Sequence, residues 1–83
     1  MKVLYFAWLR TKVGIAEETL TLPETVTTLY GLIDHLKKRG GGYEEIFQDL
    51  DVVRVAIDQE YVTGDASLEH VMEVAFFPPV TGG

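Results

Sequence analysis

The chain has 83 residues and a mass of 9.3 kDa, 47% hydrophobic and 24% charged, which describes one domain near the lower limit for a self-sufficient core. It contains no cysteine, which excludes a disulfide framework, a thiolate metal site and a thiol nucleophile. Its formal charge of -6 and pI near 4.7 have the wrong sign for neutralising phosphates, so nucleic acid is not an expected partner.

Lys2 followed by Val3-Leu4-Tyr5-Phe6-Ala7-Trp8-Leu9 imitates the front of a signal peptide. Arg10 and Lys12 end the apolar run, however, and no small-residue cleavage site follows. No stretch approaches the ~20 apolar residues needed to cross a bilayer, and a cytoplasmic location without a membrane partner is expected. Residues 2–9 read instead as a strand with apolar groups on both faces, which implies a central position in a sheet. Gly14 marks a turn, and Glu18-Thr19-Leu20-Thr21-Leu22 alternates until Pro23, so a β-hairpin is expected here.

Beyond Pro23 the period changes. Leu29, Leu32, Ile33 and Leu36 fall at i, i+3, i+4 and i+7, the apolar stripe of a helix. Thr27 or Thr28 can cap its start, while Lys37, Lys38 and Arg39 place positive charge on its last turn and Gly40 offers a left-handed stop. Gly40-Gly41-Gly42 reads as a linker in which alanine at Gly41 or Gly42 is tolerated unless a positive φ is needed. Tyr43 to Leu50 predicts a helical turn and Val52 to Ile57 a strand. Asp58-Gln59 predicts a tight turn into Tyr61-Val62-Thr63, and Gly64-Asp65 a second turn. The last strand spans Glu73 to Phe77, halted by Pro78-Pro79.

This order of elements is the β-grasp, or ubiquitin-like, α+β arrangement, with one mixed sheet packed on one main helix. Its first and last strands are expected to lie parallel at the sheet centre. Residues 1–77 form the domain and residues 78–83 an extended tail.

Catalytic side chains are not evident. His35 falls on the helix and His70 in a late loop, too few to make a metal cluster, and no metal site is expected. The adjacent pairs Glu17-Glu18 and Glu44-Glu45 are expected to be solvated, because a chain of this size has little room for a cleft that drives carboxylate pKa values apart. Between Glu44 and Glu73 carboxylates surround a single base, Arg54. That acidic half is either a solvated face or a docking site for a basic protein surface.

The tail is the most informative segment. Pro78 and Pro79 hold the backbone extended, and six residues reach at most about 20 Å. Gly82 and Gly83 have no Cβ, which lets the backbone thread a narrow channel. The terminal α-carboxylate is the one unusual reactive group on offer.

The ending Glu73-Val74-Ala75-Phe76-Phe77-Pro78-Pro79-Val80-Thr81-Gly82-Gly83 and the opening Val3-Leu4-Tyr5-Phe6-Ala7-Trp8-Leu9-Arg10 closely resemble the small-subunit family of molybdopterin synthase, across the whole chain. The resemblance implies a sulfur carrier. An E1-like adenylyltransferase would activate the Gly83 carboxylate with ATP, which that nucleotide-binding partner consumes, and no cofactor would be bound by this chain. A sulfur donor system would convert the adenylate to a thiocarboxylate. The large subunit of the synthase would receive the tail and pass its sulfur to cyclic pyranopterin monophosphate, in a heterotetramer of two small and two large subunits whose catalytic side chains belong to the large one.

By the same resemblance Phe77, with Phe6 and Arg10 from the first strand, would face the large subunit, and Pro78, Pro79, Val80 and Thr81 would bind it behind Gly82 and Gly83, which thread its channel. A carrier for another pathway such as thiazole synthesis and a ubiquitin-like protein modifier are the alternatives. One departure is local. Where the family often has an Asp-Gly-Asp-type turn before the last strand, this chain has Glu69-His70-Val71-Met72.

Overall fold

A computed structural model describes residues 1–79 of the chain. The elements are β1 (Lys2–Tyr5), α1 (Ala7–Val13), β2 (Glu17–Thr19), α2 (Leu29–Lys37), α3 (Gly41–Ile46), a 3-10 turn at Leu50–Val52, β3 (Arg54–Ile57), β4 (Glu60–Val62) and β5 (Glu73–Phe77). The strands form one mixed sheet in the order β2-β1-β5-β3-β4. β1 and β5 are parallel, and every other pair is antiparallel. This is the expected β-grasp.

Core residues come from alternate positions on the strands, because successive side chains point to opposite faces. Val3 and Tyr5 on β1, Val55 on β3, and Val74 and Phe76 on β5 are buried together with Leu29, Leu32, Ile33 and Leu36 of α2. Leu9, Ile46 and Phe47 complete the cluster. The N-terminus of α2 is capped by Thr28, whose Oγ1 accepts from the Gly31 amide at 3.1 Å. Asp65 accepts from the Tyr30 amide at 2.9 Å, which ties the loop before β5 to the same helix end.

The Asp58-Gln59 turn forms as the sequence indicates, and a turn also forms in the segment that departs from the family pattern. Asp58 and Gln59 both have positive φ, 48° and 71°, the twist that suits a two-residue hairpin. Asp58 then accepts from the Met72 and Glu73 amides through Oδ1, at 3.0 and 2.9 Å, which pins the start of β5. In the Glu69-His70-Val71-Met72 segment, His70 takes φ 61° and the Val71 amide donates to the Leu68 carbonyl at 3.1 Å, so a turn forms without glycine.

The first strand is shorter than expected. It ends at Tyr5, and residues 7–13 form α1 in place of a hairpin connection. Leu9 is buried and Val13 half-buried, four residues apart, with Arg10, Thr11 and Lys12 in water between them; that spacing is helical. Ala7 enters the left-handed region at φ 55°, a conformation that costs a non-glycine residue on the order of 1 kcal/mol and swings the chain out of the strand. Gly14 ends the helix at φ 95° with its amide on the Arg10 carbonyl.

The glycine segment after α2 is not a linker. Gly41 and Gly42 open α3, and a Cβ on Gly42 would overlap the carbonyl oxygen of Lys12 in α1 and lie 3.1 Å from the Cα of Val13. Glycine is what lets the two helices touch.

Nor is Glu18 solvated. Its side chain is 16% exposed, and its carboxylate accepts from the Tyr5 and Tyr43 hydroxyls, each at 2.8 Å, and from the Arg39 guanidinium at 2.7 Å. The Arg39 guanidinium also lies 5.0 Å from the centroid of the Tyr43 ring. One carboxylate thereby joins β1, β2, α3 and the residues after α2. Burial pushes the Glu18 carboxyl up, but the hydrogen bonds from Arg39, Tyr43 and Tyr5 outweigh it and hold it below the usual carboxylate range. Burial, reinforced by the bond to Glu18, pushes the Tyr5 hydroxyl far above its ordinary value and keeps it a neutral donor.

Two outcomes are expected. Gly42→Ala should cost about 1–3 kcal/mol by forcing α1 and α3 apart, read as a lower urea midpoint; an unchanged midpoint would mean that the helices do not depend on this contact. A carboxyl depressed in the folded state contributes stability that is present above its unfolded pKa and is lost as pH falls through the folded value. The melting temperature should therefore drop below about pH 4.3 less steeply in Glu18→Gln than in the unsubstituted chain. Glu18→Ala, which orphans the buried Tyr5 hydroxyl, should cost about 1–3 kcal/mol at neutral pH.

Candidate functional site

Because β1 and β5 run parallel, both finish at the same end of the sheet. Their register pairs Tyr5 with Phe76, and the Phe6 amide donates to the Phe76 carbonyl at 3.1 Å. Pairing thus extends one residue past β1 and sets Phe6 beside Phe77. Tyr5 and Phe76 stack on the helix side, with ring centroids 6.0 Å apart and planes 19° from parallel. By alternation Phe6 and Phe77 belong to the outer face.

That face is apolar where β1 and β5 finish; toward its other end Lys2 and Glu73 are opposite each other in the register. Leu4 pairs with Ala75, and Ala75 with Ala56. Ala56 pairs with Tyr61 on β4. Phe77 is half-buried and meets Tyr61 edge to face at 6.2 Å. Phe6 is 47% exposed and Tyr61 57%. Arg54, opposite Phe77 in the register, turns its guanidinium back onto the carbonyls of Asp51 and Val53, at 2.8 and 3.3 Å, and so leaves the aromatic surface free of a competing charge.

The expected site residues divide three ways. Phe6 and Phe77 come together on one face as expected. Arg10 is exposed and close in sequence to Phe6, but it lies on α1 and not on the first strand, because β1 ends at Tyr5. Among the described residues Arg10 forms no ion pair. Pro78 and Pro79 are half-buried and follow directly on β5. Val80, Thr81, Gly82 and Gly83 lie outside the described residues. Tyr61 and Leu4 were missed. The signal for Tyr61 was the Asp58-Gln59 turn, which fixes the β3–β4 register and places Tyr61 opposite Ala56.

Among the described residues no group of three His, Asp or Glu side chains is placed to hold a metal ion. His35 is half-buried on α2 and His70 is exposed, 3.5 Å from the Glu69 carboxylate. The larger concavity, about 670 Å³, is lined by Met1, Leu20, Leu22, Val26, Leu68 and Val71 among others. It sits where β1 begins, away from the end at which β5 exits. No described helix is long and apolar enough to cross a membrane.

Comparison with known proteins gives concordant matches. The model of the ThiS family matches residues 3–83. A molybdopterin synthase sulfur carrier subunit from Arabidopsis thaliana is 35% identical over 83 residues, all of this chain and 82% of that protein. Among solved structures, a Pyrococcus furiosus protein assigned as molybdopterin converting factor, subunit 1, superposes with a TM-score of 0.69 at 33% identity, over 95% of each chain. SAMP1 from Haloferax volcanii superposes with a TM-score of 0.68 at 25% identity, over 100% of this chain and 98% of its own.

Proposed function

Since the chain belongs to the ThiS family, matched from residue 3 through Gly83, and is similar along its whole length to a molybdopterin synthase sulfur carrier subunit, we propose that it carries sulfur on Gly83 as the small subunit of a molybdopterin synthase. The observation that supports this most directly is the extent of the family match, which includes the terminal Gly82-Gly83.

A carboxylate is a poor electrophile until one oxygen becomes part of a good leaving group. In the proposed sequence the Gly83 carboxylate attacks the α-phosphorus of ATP on an E1-like adenylyltransferase, forming an acyl adenylate and releasing pyrophosphate. A sulfur donor then displaces AMP and leaves a thiocarboxylate. In the large subunit that thiocarboxylate donates sulfur to cyclic pyranopterin monophosphate, and oxygen from water takes its place on Gly83. Two such rounds supply the two sulfurs of the dithiolene. ATP is bound and consumed by the adenylyltransferase, all of these steps take place in the cytoplasm, and the final sulfur transfer occurs within a complex of two small and two large subunits.

This chain's own contribution is geometric. The β1–β5 end anchors the base of the tail, the outer aromatic face meets the large subunit through Phe6 and Phe77, and Arg10 lies close by. Pro78 and Pro79 restrict the backbone at the base of the tail, whose six residues can span at most about 20 Å. A carrier without cysteine keeps no thiol nearby to exchange with the sulfur on its main chain.

The test is incubation with the adenylating enzyme, ATP and a sulfur donor, followed by intact mass. One oxygen-for-sulfur exchange is expected; high-mass conjugates, or no change, would overturn the proposal. Adding one alanine after Gly83 shifts the carboxylate by about 3.3–3.6 Å. Since a misplacement of ~1 Å can cost on the order of 100-fold, adenylation should become barely detectable while the melting temperature holds. Phe77→Ala should weaken large-subunit binding by about 2 kcal/mol or more with the fold intact, and unchanged affinity by calorimetry would remove Phe77 from the interface.

A further inference from the structure

The chain has a single tryptophan, Trp8, and nothing in the fold or in the proposed chemistry uses it. It lies on α1, directly after the left-handed Ala7, and is 39% exposed. Among the described residues no aromatic ring or cation stacks on it. Leu9 and Val13 turn α1 toward the core, which leaves two flanks in water. Phe6 and Arg10 lie toward one, and Trp8 and Lys12, four residues apart, form the other. Lys12 pairs with Glu45 of α3 at 3.2 Å. Trp8 stands one turn nearer the helix start, and therefore nearer the end of the sheet where β5 finishes.

We propose that Trp8 is a second aromatic contact with the large subunit, on the shoulder of the tail's base opposite Phe6. The inference rests on the sulfur-carrier reading and deepens it. A tail of six residues reaches about 20 Å at most. For Gly83 to arrive at a reacting centre inside a partner, that partner's surface must therefore come down to the β1–β5 end. α1 packs beside that end, so a surface enclosing the tail covers both of its flanks. Trp8 lies on the flank of α1 away from Phe6, so a surface that covers both flanks buries it, and a tryptophan buried in an interface is a frequent energetic anchor. The left-handed Ala7 is what brings it there: had β1 continued in extended form past Phe6, residue 8 would point to one face of the sheet and not over its end.

A single tryptophan permits a direct test. The full chain is labelled with 5-fluorotryptophan, which gives one fluorine resonance, and unlabelled large subunit is added while binding is followed independently by calorimetry. The resonance should move in step with complex formation. Trp8→Ala should weaken binding at least tenfold with an unchanged melting temperature, and Trp8→Phe should retain most of the affinity. If the large subunit binds while the resonance stays in place and Trp8→Ala binds normally, the inference is overturned and the sulfur-carrier reading stands. If no binding is seen with the unsubstituted chain, that reading falls and takes the inference with it. A resonance that shifts with protein concentration in the absence of the large subunit would assign Trp8 to contact between two copies and overturn the inference.

Discussion

The parallel pairing of β1 with β5 is the constraint on which the rest of the molecule depends. Parallel neighbours cannot be joined by a tight turn, and here the connection between them passes from β2 at one edge to β3 on the other side of β5, crossing one face of the sheet on the way. That crossing brings α2 over the strands and buries Leu29, Leu32, Ile33 and Leu36 against Val3, Val74 and Phe76. The same pairing makes the two strands finish together. Tyr5 and Phe76 are stacked inside, and Phe6 and Phe77 fall on the outer face at the point from which the tail departs.

The helix side of that end is braced where a chain of this size has little apolar surface to spare. Glu18 gathers two tyrosine hydroxyls and a guanidinium, and the buried Tyr5 hydroxyl among them would otherwise be costly to leave unpaired. The close contact of α1 with α3 at Gly42 sets α1 down on the same end. Asp58 holds the beginning of β5 through two amides, so the strand that bears the tail is fixed at its start by a side chain and along its length by β1 and β3. The outer face at the end where β1 and β5 finish is left apolar, with Phe6 and Tyr61 exposed.

What was legible in the sequence follows from physical periodicity. The i, i+3, i+4, i+7 stripe of α2 and the Glu73–Phe77 strand bounded by two prolines each had one structural solution, and the Asp58-Gln59 turn announced its hairpin. Alternation along the last strand set Phe76 and Phe77 on opposite faces, and it was the resemblance that chose Phe77, with Phe6, for the outer one. α1 was hidden inside a run of eight residues whose composition suits a strand. Only the left-handed Ala7 divides that run, and alanine gives no sign of positive φ. The role of Gly42 was illegible because a glycine needed for close packing looks the same in sequence as one in a linker. Glu18 was misread as solvated because its three partners, Tyr5, Arg39 and Tyr43, are scattered along the chain and meet only in the fold. Arg10 was assigned to the first strand and lies on α1, for the reason that hid α1.

The central claim is that the end of the sheet where β1 and β5 finish is the working end of the molecule. It is tested most directly by mapping backbone amide shifts of the isotopically labelled chain as the large subunit is titrated in. Perturbations are expected to concentrate at Phe6 and residues 7–12 of α1, at Ala75, Phe76 and Phe77 on β5, and at Tyr61. A map centred on the exposed side of α2, or on the groove between Leu22 and Leu68, with residues 6–12 and 75–77 unmoved, would contradict it.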